Sequence, residues 1–265
     1  MRNVSGEPVL HRAVSLLDAF RVAPAELTLD ELVERSGLAR STAHRLAGQL
    51  VDVGLLERAP RGWRLAVALF ELGQLVPRQQ RLREAALPYM GDLYEATRET
   101  VQLAVLDDGD VLYVEIIAGH RRVATPSRRG GRLPAHCTGL GKALLAFAAD
   151  AGRDWRAAHP TLSAHTPATI TDPDALRQEL NAIRRLGLSY DRGERSPGLV
   201  CVAAPLLGAD GVALAALSVS MPAGGRMTVA EAAPAVLAAS RALSRELARA
   251  PDRTYSKRLS PTARS

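Results

Sequence analysis

Only two cysteines, Cys137 and Cys201, occur in 265 residues. That excludes a disulfide framework and makes a reducing cytoplasm the expected compartment. Together with six histidines they show no short metal-ligand spacing, so the sequence suggests neither a metal nor another cofactor. No apolar run approaches the roughly 20 residues needed to cross a bilayer. The stretch Met1 to Pro8 lacks the apolar core of a secretory leader, and residues 1–8 are expected to be a disordered leader instead. Internal repeats are absent, and lysine occurs only at Lys142 and Lys257.

What is present is enough apolar residue, 47%, to build real cores, and a length that suits two domains. The net charge of +6 is not concentrated in either of them. Through residue 80 ten arginines face nine acids, and over residues 81–250 twenty bases face eighteen acids. Any reading of a nucleic-acid partner must therefore rest on where the arginines stand.

They stand in a suggestive place. Residues 27–50 read as two helices separated by Ser36-Gly37-Leu38, the spacing of a helix-turn-helix. Thr28 followed by Glu31 forms a capping box for the first helix, and Gly37 supplies the turn. On the second helix Ala39, Ala43, Leu46, Leu50 and Val53 form one apolar stripe. The opposite sector holds Ser41, His44, Arg45 and Gly48, with Arg40 and Thr42 flanking it. These are donors suited to base edges and phosphates, although a solvated helix face also carries Arg and Ser. Downstream, two short strands joined across Ala59-Pro60-Arg61-Gly62 make a hairpin, and a helix-turn-helix followed by such a hairpin is a winged helix. Arg58, Arg61 and Arg64 place charge along the wing, within reach of phosphates or a minor groove.

Before this motif Val9 to Phe20 reads as a helix, with Leu10, Val14, Leu17 and Phe20 inward and Arg12 and Asp18 outward. Residues 9–76 are thus expected to form the DNA-binding domain. A long helix follows over residues 77–99, with Leu82, Ala86, Met90, Leu93 and Thr97 on one face, and Pro88 inside it is expected to kink it or to start a fresh helix. Such a connector can pack on its own downstream domain or also meet a second subunit, which suits a two-fold DNA reader on a palindromic site. From Thr100 the pattern turns to strands: Val101 to Val105, a turn at 107–110, Val111 to Ile117, and a short strand at 121–124. After the basic loop 127–132, a helix is expected over Gly139 to Ala149. Residues 150–170 read as loop, and a helix follows from Asp172 to Arg185. Strands at Leu188–Asp191, Leu199–Leu206 and Val212–Met221 precede a last helix, Thr228 to about Arg249. This makes residues 100–250 an α+β domain around a mainly antiparallel sheet, with 251–265 a disordered basic tail.

Three stretches in order resemble the IclR family of bacterial transcription regulators. They are Gly37 to Leu46; Leu133 to Ala146, containing His136-Cys137-Thr138-Gly139-Leu140-Gly141-Lys142; and Gly198 to Pro205. The resemblance spans about residues 9 to 248. It implies a winged helix-turn-helix joined by a helical linker to a GAF-like effector-binding domain, in a homodimer or homotetramer. It also implies a small organic acid as effector, held at Gly139, Leu140, Asp191 and Cys201, with operator DNA as the other partner and a role as repressor or activator. A helix N-terminus at Gly139 suits a carboxylate, because its first N–H groups are unpaired. One departure stands out: where family members often carry two adjacent acids after the aspartate, Gly193-Glu194 leaves one.

Enzyme readings fare worse. Gly139-Leu140-Gly141-Lys142-Ala143 fails as a phosphate loop, since His136 replaces the first glycine and Ala143 the magnesium-binding hydroxyl. His136 and Cys137 are adjacent, so they seldom aim at one another as a catalytic pair, and no third group orients the base. Cys201 between valines reads as a buried small residue, and Lys142 as either solvent-facing or part of the pocket. The nearer alternative is a ligand-free DNA-binding or architectural protein, which a second domain of this size argues against.

Overall fold

The computed structural model describes residues 8–22, 25–120, 127–149, 155 and 159–249, and the chain divides into two compact units, residues 1–77 and 78–265. The expected strand at 121–124, the leader through residue 7 and the tail 251–265 lie outside the described residues.

The first unit holds α1 (Val9–Asp18), α2 (Leu29–Ser36), α3 (Arg40–Asp52), the hairpin β1 (Leu56–Ala59) and β2 (Gly62–Leu65), and α4 (Val67–Gln74). Thr28 caps α2 through the Glu31 N–H, while the Glu31 carboxylate accepts the Thr28 N–H at 2.8 Å, and Gly37 ends the helix at φ 69°. The core joins Leu16, Phe20, Leu32, Ala43, Leu46, Ala47, Leu50, Leu56 and Trp63.

Two expected stripes need correction. On α1, Leu10 is 75% and Val14 53% exposed, whereas Leu16, Ala19 and Phe20 are buried. Ala13, Leu16, Leu17 and Phe20 repeat at the same helical spacing, and only one apolar stripe can face α2 and α3. On α3, Ala39 and Val53 are exposed because they are the two cap residues, and Ala47 takes their place in the stripe.

In the second unit a six-stranded sheet has the order β5-β4-β3-β8-β7-β6, every neighbouring pair antiparallel. Its strands are β3 (Thr100–Asp107), β4 (Asp110–Ile117), β5 (Arg132–Pro134), β6 (Ser189–Arg192), β7 (Leu199–Leu207) and β8 (Ala213–Pro222). Both faces are covered, which is why the central strands read as nearly unbroken apolar runs. On one face Val101, Leu103, Val105, Val202, Leu206, Leu217 and Val219 meet two long helices, α5 (Pro77–Thr97) and α8 (Val229–Arg249). Leu82, Ala86, Met90, Leu93 and Thr97 of α5 are all buried, so this helix belongs to the core of the second unit, and Pro88 lies inside one continuous helix.

The other face is built from small residues: Ala104, Cys201, Ala203, Ala216, Ser218 and Ser220. On it lie α6 (Gly139–Ala146) and α7 (Pro173–Leu186), the second started by Asp172 and Pro173 and ended by Gly187 at φ 72°. Small side chains let α6 come close. Its eight residues are all buried, and it stops at Ala146, short of the expected Ala149.

Candidate functional site

On α3 the apolar stripe turns inward and leaves Arg40, Ser41, His44 and Arg45 exposed and Thr42 half-buried. Among the described residues no side chain caps the N-terminus of α3, in contrast to the boxed start of α2. Its first N–H groups therefore remain for an outside acceptor. A Cβ at Gly48 would meet nothing within 4 Å, so the middle of this face is open.

The hairpin is tied to α3 through one indole. Trp63 is buried, its ring lies edge-on to His44 at 6.1 Å, and the Arg58 guanidinium sits 4.6 Å above its centroid. Trp63 also exchanges backbone hydrogen bonds with Leu27, at 2.8 and 2.9 Å. That close approach needs Gly62, where a Cβ would stand 2.2 Å from the Leu27 carbonyl oxygen. The remaining arginines are steered by acids: Arg40 pairs with Asp30, Arg64 donates to Glu57 at 2.8 Å, and Arg61 lies 4.0 Å from Glu31. Arg45 donates to Gln49 at 3.2 Å. All eight residues singled out from the sequence thus lie on the α3 face or the hairpin of one unit, and Arg58, Arg61 and Arg64 are exposed.

The second unit contains a cavity between the start of α6 and the small-residue face of the sheet. Every strand contributes to its wall: Leu133 from β5, Tyr113 from β4, Gln102 from β3, Ser220 from β8, Cys201 from β7 and Asp191 from β6. Thr138, Gly139 and Leu140 close it from the helix side, so the four residues named from the resemblance come together. Gly139 keeps the approach to β7 close. A Cβ would sit 3.0 Å from the Cys201 sulfur. Gly141, two residues on, lets the helix start lie against the preceding turn, since a Cβ there would be 2.2 Å from the Ala135 carbonyl oxygen.

Polar groups face this space in a fixed pattern. Gln102 is buried, its Oε1 accepting from Ser218 at 3.1 Å and Ser220 at 2.8 Å and its Nε2 donating to Ser127 at 2.7 Å. Asp191 accepts the Glu194 N–H at 2.7 Å, yet burial outweighs that bond and raises its carboxyl to about 6. Burial likewise pushes the Cys201 and Cys137 thiols up to about 12 and the Tyr113 phenol well above its usual range, so none of the three ionises near neutrality. Arg195 reaches the same cavity, and its Nε is buried with no hydrogen-bond partner among the described residues. An N–H held away from water without an acceptor is costly.

Lys142 does not face solvent. It is fully buried, donating to Glu194 at 2.5 Å and Glu179 at 3.3 Å, and so holds the loop after Asp191 against α6. The single acid of that loop is therefore engaged inside the protein. Sequence reasoning missed Gln102, Tyr113, Ser127, Arg195 and Ser220. A signal existed for two of them, since Gln102 and Ser220 are polar interruptions in otherwise apolar strands.

His136 and Cys137 lie on a 3-10 turn before α6, both buried. The His136 Nε2 is 3.0 Å from the Ser163 carbonyl oxygen, and burial lowers the pKa of the ring. With the thiol protonated and the histidine turned to a backbone carbonyl, the pair has no nucleophile-base geometry. Their donor atoms and that of His165, 28 residues further along the chain than Cys137, do however lie within 4.8 Å of one another.

Comparison with known proteins points one way. The bacterial transcriptional regulator IclR C-terminal family matches residues 74–249, and the IclR helix-turn-helix domain matches residues 9–60. The chain is 35% identical over 219 residues to the HTH-type transcriptional regulator BhcR of Paracoccus denitrificans, covering 82% of this chain and 78% of that one. It is 31% identical to the transcriptional repressor IclR of Escherichia coli, covering 80% and 79%. Among solved structures, an IclR homolog from Microbacterium hydrocarbonoxydans complexed with 4-hydroxybenzoate superposes with a TM-score of 0.80 at 34% identity, covering 92% of this chain and all of that one. Among the described residues no helix is long and apolar enough to cross a membrane.

Proposed function

The chain belongs to the IclR family of helix-turn-helix transcriptional regulators, and we propose that it binds a two-fold symmetric operator through α3 and the β1–β2 hairpin, with a small carboxylate in the sheet cavity setting its affinity. In this reading Ser41, His44 and Arg45 meet base edges, Arg40 and Thr42 flank them, and Arg58, Arg61 and Arg64 meet phosphates or the minor groove. Residues 9–76 serve as the DNA-binding part, 77–99 as the linker and 100–250 as the effector-binding part.

The observation that carries the effector assignment is Arg195. A buried guanidinium nitrogen without an acceptor, in a cavity that also receives the N-terminus of α6, suits a carboxylate. Gln102, Ser220 and Asp191 offer hydrogen bonds to a hydroxyl at the other end, and Leu133, Leu140, Leu199 and Cys201 give apolar walls. A hydroxylated, compact acid of the kind found with the Microbacterium relative has the matching groups. In this reading the cavity senses and does not catalyse: its cysteine is held as a thiol, and Asp191 accepts a backbone N–H. A regulator of chromosomal operators works in the cytoplasm.

Exposed apolar side chains on the first unit favour a homodimer. Val67, Phe70, Leu72 and Leu75 of the α4 region and Leu10 and Val14 of α1 are all more than half exposed. A second copy of the chain would cover them and supply the second reading helix for the palindrome.

The test is calorimetry with a panel of aliphatic and aromatic hydroxy acids, followed by anisotropy on DNA that the protein has selected. We expect at least one acid to bind and to change DNA affinity by about 5–150-fold, and Arg195→Ala to lose that response while still binding DNA. Acids that bind with undiminished affinity to Arg195→Ala would contradict the cavity assignment.

A further inference from the structure

The cluster of His136, Cys137 and His165 is used by neither the DNA-facing surface nor the cavity lining. Its donor atoms lie within 4.8 Å of one another, and the two histidine rings are 6.0 Å apart, centroid to centroid. Two ligands are fixed by the fold: His136 and Cys137 occupy the turn Ala135–Cys137, which Gly141 allows to lie directly against α6. The third, His165, is exposed and comes from the irregular segment after residue 159.

The orientation of His136 adds an independent indication. A backbone carbonyl can only accept, so the contact of 3.0 Å to Ser163 fixes the proton on Nε2 and leaves the lone pair on Nδ1. Histidines that ligate metals are held in this manner, with the far N–H donated to a carbonyl or carboxylate.

We propose that His136, Cys137 and His165 form a site for a borderline-soft divalent transition metal of the zinc class, with three protein ligands and a fourth position for solvent. Two imidazoles and a thiolate disfavour magnesium and calcium, which take oxygen donors. Binding forms a metal–sulfur bond at Cys137 and expels the thiol proton to solvent. A tetrahedral ion holds its donors roughly 3.3–3.8 Å apart, so the cluster must tighten, and exposed His165 is the ligand placed to move. The consequence reaches the neighbouring cavity. Thr166 donates to the Gly193 carbonyl at 2.8 Å and Thr169 to the Glu194 carbonyl at 2.6 Å. An ion bridging His165 to the turn before α6 would therefore also brace the loop that follows Asp191.

The probe is cobalt(II), titrated into the reduced, chelator-treated full chain with any affinity tag removed. The site predicts one equivalent bound per chain, a near-ultraviolet thiolate-to-cobalt absorption, and displacement by one equivalent of zinc(II). Cys137→Ser should lose the absorption, and His165→Ala should weaken binding by about tenfold or more. Because His165 is exposed, His165→Ala keeps its circular dichroism and its DNA binding, which separates loss of a ligand from loss of the fold. Failure to bind cobalt stoichiometrically, persistence of the absorption in Cys137→Ser, or unchanged affinity in His165→Ala would overturn the proposal.

Discussion

Asp191 shows how far one side chain can tune the proposed sensor. Burial raises its carboxyl from the usual 3.8 to about 6. The folded protein thus favours the protonated acid: the stabilisation is complete below about 4 and is lost as the pH climbs through 6. A protonated Asp191 donates to a carboxylate or hydroxyl, whereas the ionised form repels an anion. Affinity for an ionised carboxylate effector should accordingly rise by about threefold to tenfold as the pH falls through 6, and Asp191→Asn should flatten that dependence in calorimetry. A wild-type affinity that falls over the same interval would contradict this role. At this scale the sequence was informative where a residue type is rare or motif-bound. Gly139, Leu140, Asp191 and Cys201 do share one cavity. Arg195 escaped notice because one arginine in a polar loop looks like any other, and only burial of its Nε distinguishes it.

Among the elements, those with strong local signals stand where their residues put them. Thr28 with Glu31, Gly37, Asp172 with Pro173, and Gly187 each mark a helix end by backbone chemistry that needs no distant partner. What depends on tertiary choice was not legible. Two stripes compete on α1, and the core takes the one through Leu16 and Phe20, leaving Leu10 and Val14 outside. Lys142 reads equally as solvent-facing or as part of the pocket, and it is neither: α6 is buried all round and carries it inside to meet Glu194 and Glu179. Lys142→Met should leave the Glu194 carboxylate buried without its cation and cost about 3–5 kcal/mol in urea unfolding of the second unit. A loss below about 1 kcal/mol would show that Glu179 and Glu194 do not rely on it.

At the scale of the whole molecule the proposed reading rests on two copies meeting each other and one operator. Leu10 and Phe70 are 75% and 65% exposed in the single chain, and the proposed dimer would cover them. Light scattering should find a dimer or larger assembly for the parent chain, and a monomer with weakened DNA binding for the double variant Leu10→Asp, Phe70→Asp. An unchanged assembly would place the interface elsewhere. The central claim, that α3 reads bases while the hairpin grips the backbone, is tested most directly by selection from a random DNA library with the parent chain and with His44→Ala and Arg45→Ala. The parent should enrich a two-fold symmetric motif, and each variant should lose preference at particular base pairs by about 1–3 kcal/mol. Enrichment of the same motif with the same discrimination by both variants would contradict it.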